Sequence, residues 1–169
     1  MTSTAADKAG THVLGDEHVA FMSGDAISSA IASRDASNQP SLTKCLAVRV
    51  RGDQGTVEVF VDADRSAELL RDLRAGNPIA LVCSEPMSHR TIQVKGTRAE
   101  IGPLGPDDQK FVAAKVDAIV AHIAPLGYPE PGLRTYFSFT PAALTRIVFS
   151  ASAAFLQTPG PGAGAPLKT

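Results

Sequence analysis

The sequence predicts a mainly β domain with flanking helices, built on an antiparallel sheet of six to seven strands closed into a barrel. Three observations carry that prediction. About seven segments either alternate apolar with polar residues or run continuously apolar, as strands do. Most of them are joined by short turns, which antiparallel pairs accept and parallel pairs do not. Too few helical segments lie between them to supply the crossovers of a doubly wound sheet, and closure into a barrel would remove the exposed edges.

Taken in order, residues 1–15 are polar and rich in Gly, Ala and Thr without periodicity, and are expected to form a flexible terminus. One domain then spans 16–156. DEHVAFMSG opens with acidic residues and stops at Gly24, the pattern of one or two helical turns. Strands are expected over Ala26–Ser33 and, after the turn RDASNQP, over Ser41–Arg51. The second of these places Leu42, Leu46, Val48 and Val50 on one side and Cys45, Ala47, Arg49 and Arg51 on the other. RGDQG reads as a tight turn into TVEVFVD, giving a hairpin. Ser66–Ala75 carries Leu69, Leu70 and Leu73 at helical spacing and stops at Gly76, a natural C-cap.

PIALVCS, continuously apolar, reads as a central strand. His89–Ala99 reads as one with a polar stripe of His89, Thr91, Gln93 and Lys95. Asp107–Ile123 is the strongest helix, with Pro106 and two Asp at its start and Val112, Val116, Ile119, Val120 and Ile123 at gaps of three and four. Two more strands are expected over Leu133–Thr140 and Leu144–Ser150. The Pro/Gly-rich tail 157–169 is expected to form no ladder and to lie on a surface or against a partner.

Composition narrows the function. With 44% hydrophobic residues in 169, the chain is long enough to bury ~70% of its unfolded surface. A net charge of -1 from 16 Lys+Arg and 17 Asp+Glu, no Trp and 5% aromatics argue against nucleic acid and against an anionic membrane surface. The absence of a signal-like start or a long apolar run points to a cytoplasmic protein. Cys45 and Cys83 form no CxxC and read as buried free thiols, and histidines 12, 18, 89 and 122 show no metal-site spacing, so no metal is expected. Phosphate-loop, dinucleotide and nucleophile-elbow motifs are missing. What remains is a basic and hydroxyl set: Lys44, Arg49, Arg65, Ser66, His89, Arg90, Thr91 and Gln93. Spacing alone leaves two readings open for it, a phosphate site at the strand-to-helix hinge VFVDADRSAELL, or solvated charges beside an Asp64 cap.

The order of PSLTKCLAVRV, a turn ending at Gly55, VFVDADRSAELL, NPIALVCSEP and HRTIQVKGTRAE resembles the FMN-binding split-barrel proteins related to pyridoxamine 5'-phosphate oxidase. The resemblance implies an antiparallel six-to-seven-stranded split β-barrel of the FMN-binding type. It also implies a homodimer with FMN at the subunit interface and flavin-dependent oxidoreductase chemistry on a small-molecule substrate. By that resemblance Lys44 opens the flavin-contacting strand, which continues through Cys45, Leu46, Ala47 and Arg49. Val59 and Phe60 meet the flavin from the next strand. Arg65 and Ser66 hold the phosphate with Lys44 and Arg90, and Thr91 replaces a flavin-contacting Gln, with Gln93, two residues on and on the same face, as its stand-in. Ser66 replaces a Lys, and the oxidase's late Arg-x-His pair is missing, which counts against oxidation of pyridoxamine phosphate. Haem and deazaflavin are the alternative cofactors, with His89 the candidate haem ligand. A non-catalytic flavin- or haem-binding module of the same fold is the alternative function. No catalytic residue is evident.

Overall fold

The computed structural model describes residues 13–52 and 55–168. The flexible terminus expected over 1–15 falls mostly outside them, as do Asp53 and Gln54 of the expected RGDQG turn. Among the described residues seven strands form one sheet: β1 (Ser28–Arg34), β2 (Pro40–Lys44), β3 (Ala47–Val50), β4 (Thr56–Asp62), β5 (Ile79–Ser84), β6 (Thr91–Gly102) and β7 (Leu144–Leu156). Every pairing is antiparallel, in the order β2-β1-β5-β6-β7-β4-β3.

The segment expected as one strand, Ser41–Arg51, is two strands on opposite edges of this sheet. The break lies at Cys45 and Leu46. The Cys45 amide donates to Ser29 O on β1 at 2.8 Å, and the Leu46 amide donates to Phe60 O on β4, also at 2.8 Å. Two adjacent residues therefore tie the first and last edges together, and the sheet curls into a half-barrel. No local signal marks the break, because both halves remain extended.

Val57, Val59 and Val61 point into the barrel with Ile31, Leu81, Ile92, Val94 and Ile147. The other face of β4 is equally dry. Phe60 is fully buried against Val112, Val116, Ile119 and Val120 of α3 (Asp108–Ile123), its ring 5.6 Å from that of Phe111. Two cores thus share one sheet, which explains why β4 is buried at nearly every position.

Helix α1 (Asp16–Met22) buries His18 and Met22, and α2 (Ala67–Arg74) buries Leu69, Leu70 and Leu73 against the barrel. Gly76, at φ 79°, supplies the left-handed turn after α2 that a Cβ disfavours. Asp62 rather than Asp64 organises the hinge before α2, with its Oδ1 accepting the amides of Asp64 at 3.0 Å and Arg65 at 3.2 Å.

Leu133–Thr140 is not a strand. α4 (Glu130–Tyr136) occupies its first half, following Pro129, whose fixed φ suits a helix start. Leu133 and Phe137, one helical turn apart, both pack towards α3, so an alternation over eight residues also satisfied a helical period. β7 is longer than expected. The tail also turns back on it: Phe155 bridges Pro166, the Leu167 amide donates to Ala154 O at 2.9 Å, and Leu167 packs against the barrel core. Among the described residues no helix is long and apolar enough to cross a membrane, and no group of three His, Cys, Asp or Glu is placed to hold a metal.

A buried ion cluster fixes α3 to the sheet. Glu58, fully buried on β4, receives Arg49 Nε at 2.6 Å and also pairs with Arg51 and Arg146. Arg49 reaches on to Asp108 at 2.8 Å, at the first turn of α3. Burial pushes the Glu58 carboxyl up, but the bonds from Arg51 and Arg49 outweigh it and hold its pKa below the ordinary value. Glu58→Gln, isosteric but uncharged, is expected to cost about 2 kcal/mol, below the full penalty for a broken buried pair because Arg51 is exposed and Arg49 and Arg146 keep Asp108. An unchanged urea midpoint would show that the cluster contributes nothing to stability.

Candidate functional site

A cleft of about 690 Å³ opens between one end of the barrel and the α3–α4 connection. Ser28 at the start of β1, Ser84 at the end of β5, and Pro86 and His89 from the following turn form one wall. Ile123, Leu126, Tyr128, Leu133, Tyr136 and Phe137 form the other. The lining is mostly apolar with a few hydroxyls, the usual composition of a small-molecule site.

Behind Tyr136 and Phe137 lie two cationic side chains, Lys44 and Arg65. Lys44, the last residue of β2, places Nζ 3.7 Å from the centroid of the Tyr136 ring and 4.7 Å from that of Phe137. This ammonium is buried and has no hydrogen-bond partner among the described residues. Burial first and the Arg65 charge second lower its pKa to about 8, with Asp62 opposing them in part. Arg65, on the hinge before α2, donates from Nη1 to Tyr136 O at 3.4 Å and from Nη2 to Ser138 Oγ at 3.0 Å. Ser66, buried at the N-cap position of α2, donates from Oγ to Thr43 Oγ1 at 3.1 Å. The barrel end and a helix start therefore bring Lys44, Arg65 and Ser66 together. An ammonium with its hydrogen-bond donors unused beside a guanidinium fits an anionic group.

The other expected site residues are dispersed. Thr91 shares a 2.8 Å contact with Ser84 Oγ and so backs the cleft wall. Gln93 stands in register between Val82 and Phe155. Cys45 and Val59 lie in the barrel core, and Leu46, Ala47 and Phe60 beneath α3. Arg49 is engaged by Glu58 and Asp108. Arg90 faces α1, 3.6 Å from Glu17 and 4.6 Å from the Phe21 ring centroid. Cys45 and Cys83 are free and buried, as expected, and burial raises both thiols, Cys83 to about 12.

Sequence reasoning missed Tyr136, Phe137 and Ser138, because it laid them on a strand. The Pro129-Glu130-Pro131 start was the available helix signal. It also missed His122, whose Nε2 lies 2.6 Å from Glu85 Oε1 and links the end of α3 to the β5–β6 turn. The Glu85 carboxyl is held down to about 2, first by the Ser88 side chain and then by the Met87 amide and His122, against the opposing effect of burial.

No family profile matches the chain, and no curated protein matches it by sequence. Solved structures do. A candidate pyridoxamine 5'-phosphate oxidase from Lactobacillus delbrueckii aligns over 87% of this chain and 97% of its own, at 17% identity and a TM-score of 0.53. An F420 reductase aligns over 83% of this chain and 98% of its own, at 14% identity and 0.54. The General Stress Protein 26 of Bacillus anthracis aligns over 88% and 93%, at 10% identity and 0.52. The chain has the split-barrel fold. At these identities the likeness concerns the path of the backbone, and the chemistry rests on the residues above.

Proposed function

We propose that this chain binds FMN noncovalently, with the phosphate at Lys44, Arg65 and Ser66 and the ring system in the adjoining cleft, and that it acts as a flavin-dependent oxidoreductase. The observation that carries this reading is the buried ammonium of Lys44, without a hydrogen-bond partner among the described residues, beside Arg65 and next to an apolar cleft of flavin-compatible size. Bound FMN would supply hydride and electron transfer. The chain's own residues supply the rest: two cations for the phosphate, the Ser84 and Thr91 hydroxyls for the polar edge of a flat ring, and apolar side chains that keep water out.

A homodimer belongs to the same proposal. Ala32, Ala80, Lys95 and Ala153 stand in register across β1, β5, β6 and β7 and line an open groove of about 500 Å³, a surface shallow enough for a second copy. Its check is the molar mass in solution, for which a monomer at micromolar concentration would count against it.

His89 in the cleft wall favours a second reading, a binding module for flavin or haem without turnover. Purification with added FMN separates the readings. Flavin absorbance with quenched fluorescence supports the first, a Soret band supports haem, and a protein that ignores FMN overturns it. Reduction of the bound flavin by NADH or NADPH then distinguishes enzyme from module. The F420 reductase among the structural neighbours makes a deazaflavin the natural competitor in that titration.

The Lys44 amine gives the site a pH signature. It is an ammonium below about 8 and loses its charge as pH rises through that value. FMN affinity is expected to be greatest near pH 7 and to fall several-fold by pH 9.5, whereas Lys44→Arg, charged throughout, is expected to abolish the fall. Identical pH profiles for the two proteins would remove Lys44 from the phosphate site.

A further inference from the structure

The two cations of the anion site are both covered by one short segment, Tyr136–Ser138. The Tyr136 ring caps Lys44 Nζ, and the Tyr136 carbonyl and the Ser138 hydroxyl take the two Arg65 donors. Tyr136 and Phe137 also line the cleft, so this segment is the partition between cleft and cations. It is lightly held on one side. No residue of α4 is buried, and Tyr136 is 58% exposed. On the other side Phe137 is an anchor, 4% exposed and packed under α3.

We propose that Tyr136–Ser138 is a strap that holds the anion site closed, and that an arriving phosphate group displaces it, opening Lys44 and Arg65 to the cleft. The proposal rests on the reading of Lys44 and Arg65 as phosphate ligands. A carbonyl, a hydroxyl and an exposed ring are neutral partners for two cations. A phosphate dianion offers the same cations full opposite charge and acceptor oxygens that suit a bidentate guanidinium contact, which neutral partners lack. Phe137 stays in place while Tyr136 and Ser138 swing outward, so displacement needs no repacking of the α3 core.

Hydrogen exchange of the full chain, with inorganic phosphate and with FMN as separate probes, tests this. Exchange in residues 133–138 is expected to rise when either probe binds, the reverse of ordinary ligand protection. Ser138→Ala, which removes one competing hydrogen bond, is expected to tighten phosphate binding about twofold to tenfold. Protection of the segment on binding, or unchanged or weaker binding by Ser138→Ala, overturns the strap. The two readings fail separately: phosphate that opens the segment while FMN does not bind leaves the strap standing and removes the flavin. FMN that binds with the segment protected does the opposite. Binding of neither probe overturns both.

Discussion

Gly96→Ala is expected to destabilise the protein by about 3 kcal/mol, the upper end of ordinary overpacking penalties. Gly96 lies on β6 where its register against β7 shifts. A Cβ there would stand 2.4 Å from Phe149 Cδ2 and 2.6 Å from Ser150 O. The carbonyl belongs to the backbone of the neighbouring strand and cannot turn aside as a side chain does. The Phe149 ring is buried in the barrel core, so moving it displaces the residues around it. For a chain of this size the cost corresponds to a loss of roughly 6–12 °C in Tm. Thermal unfolding of the two proteins measures it, and an unaltered Tm would mean that β6 and β7 separate there without penalty.

Arg65→Ala is expected to weaken FMN binding about tenfold or more, as the loss of a charge-assisted contact worth roughly 1.5–3 kcal/mol requires. Fold stability should change little, since the Arg65 side chain's hydrogen bonds among the described residues, to Tyr136 and Ser138, are exposed. Arg90→Ala is the internal control. Arg90 faces Glu17 and Phe21 on α1, so its removal should leave flavin affinity unchanged. Equal losses for the two variants would mean that the phosphate sits between them; no loss at Arg65 would place it elsewhere.

The contrast between these arginines shows where sequence reasoning stops. Both carry the same charge on segments beside strands, and the order of motifs suggested a phosphate role for both. Arg65 is tied by local geometry, because the Asp62 turn delivers it to the start of α2 whatever the rest of the chain does. Arg90 is free to follow whatever packs against the β5–β6 turn, and that is α1, more than 65 residues earlier in the chain.

The sequence by itself determined the alternation of β4, the leucine stripe of α2 with its Gly76 stop, the long α3, the buried thiols, and the hinge residues Arg65 and Ser66. Each of these is written within a few residues, where hydrophobic period and capping chemistry act. Tertiary structure decided the division of 41–51 between two sheet edges, because an extended strand looks the same whichever neighbour its amides find. It decided the helical state of 130–136, because Leu133 and Phe137 satisfy either period until α3 offers them one face. It also decided that Lys44 ends beneath Tyr136, since the position of a side chain 92 residues away is set by barrel closure and by nothing in the neighbourhood of either residue.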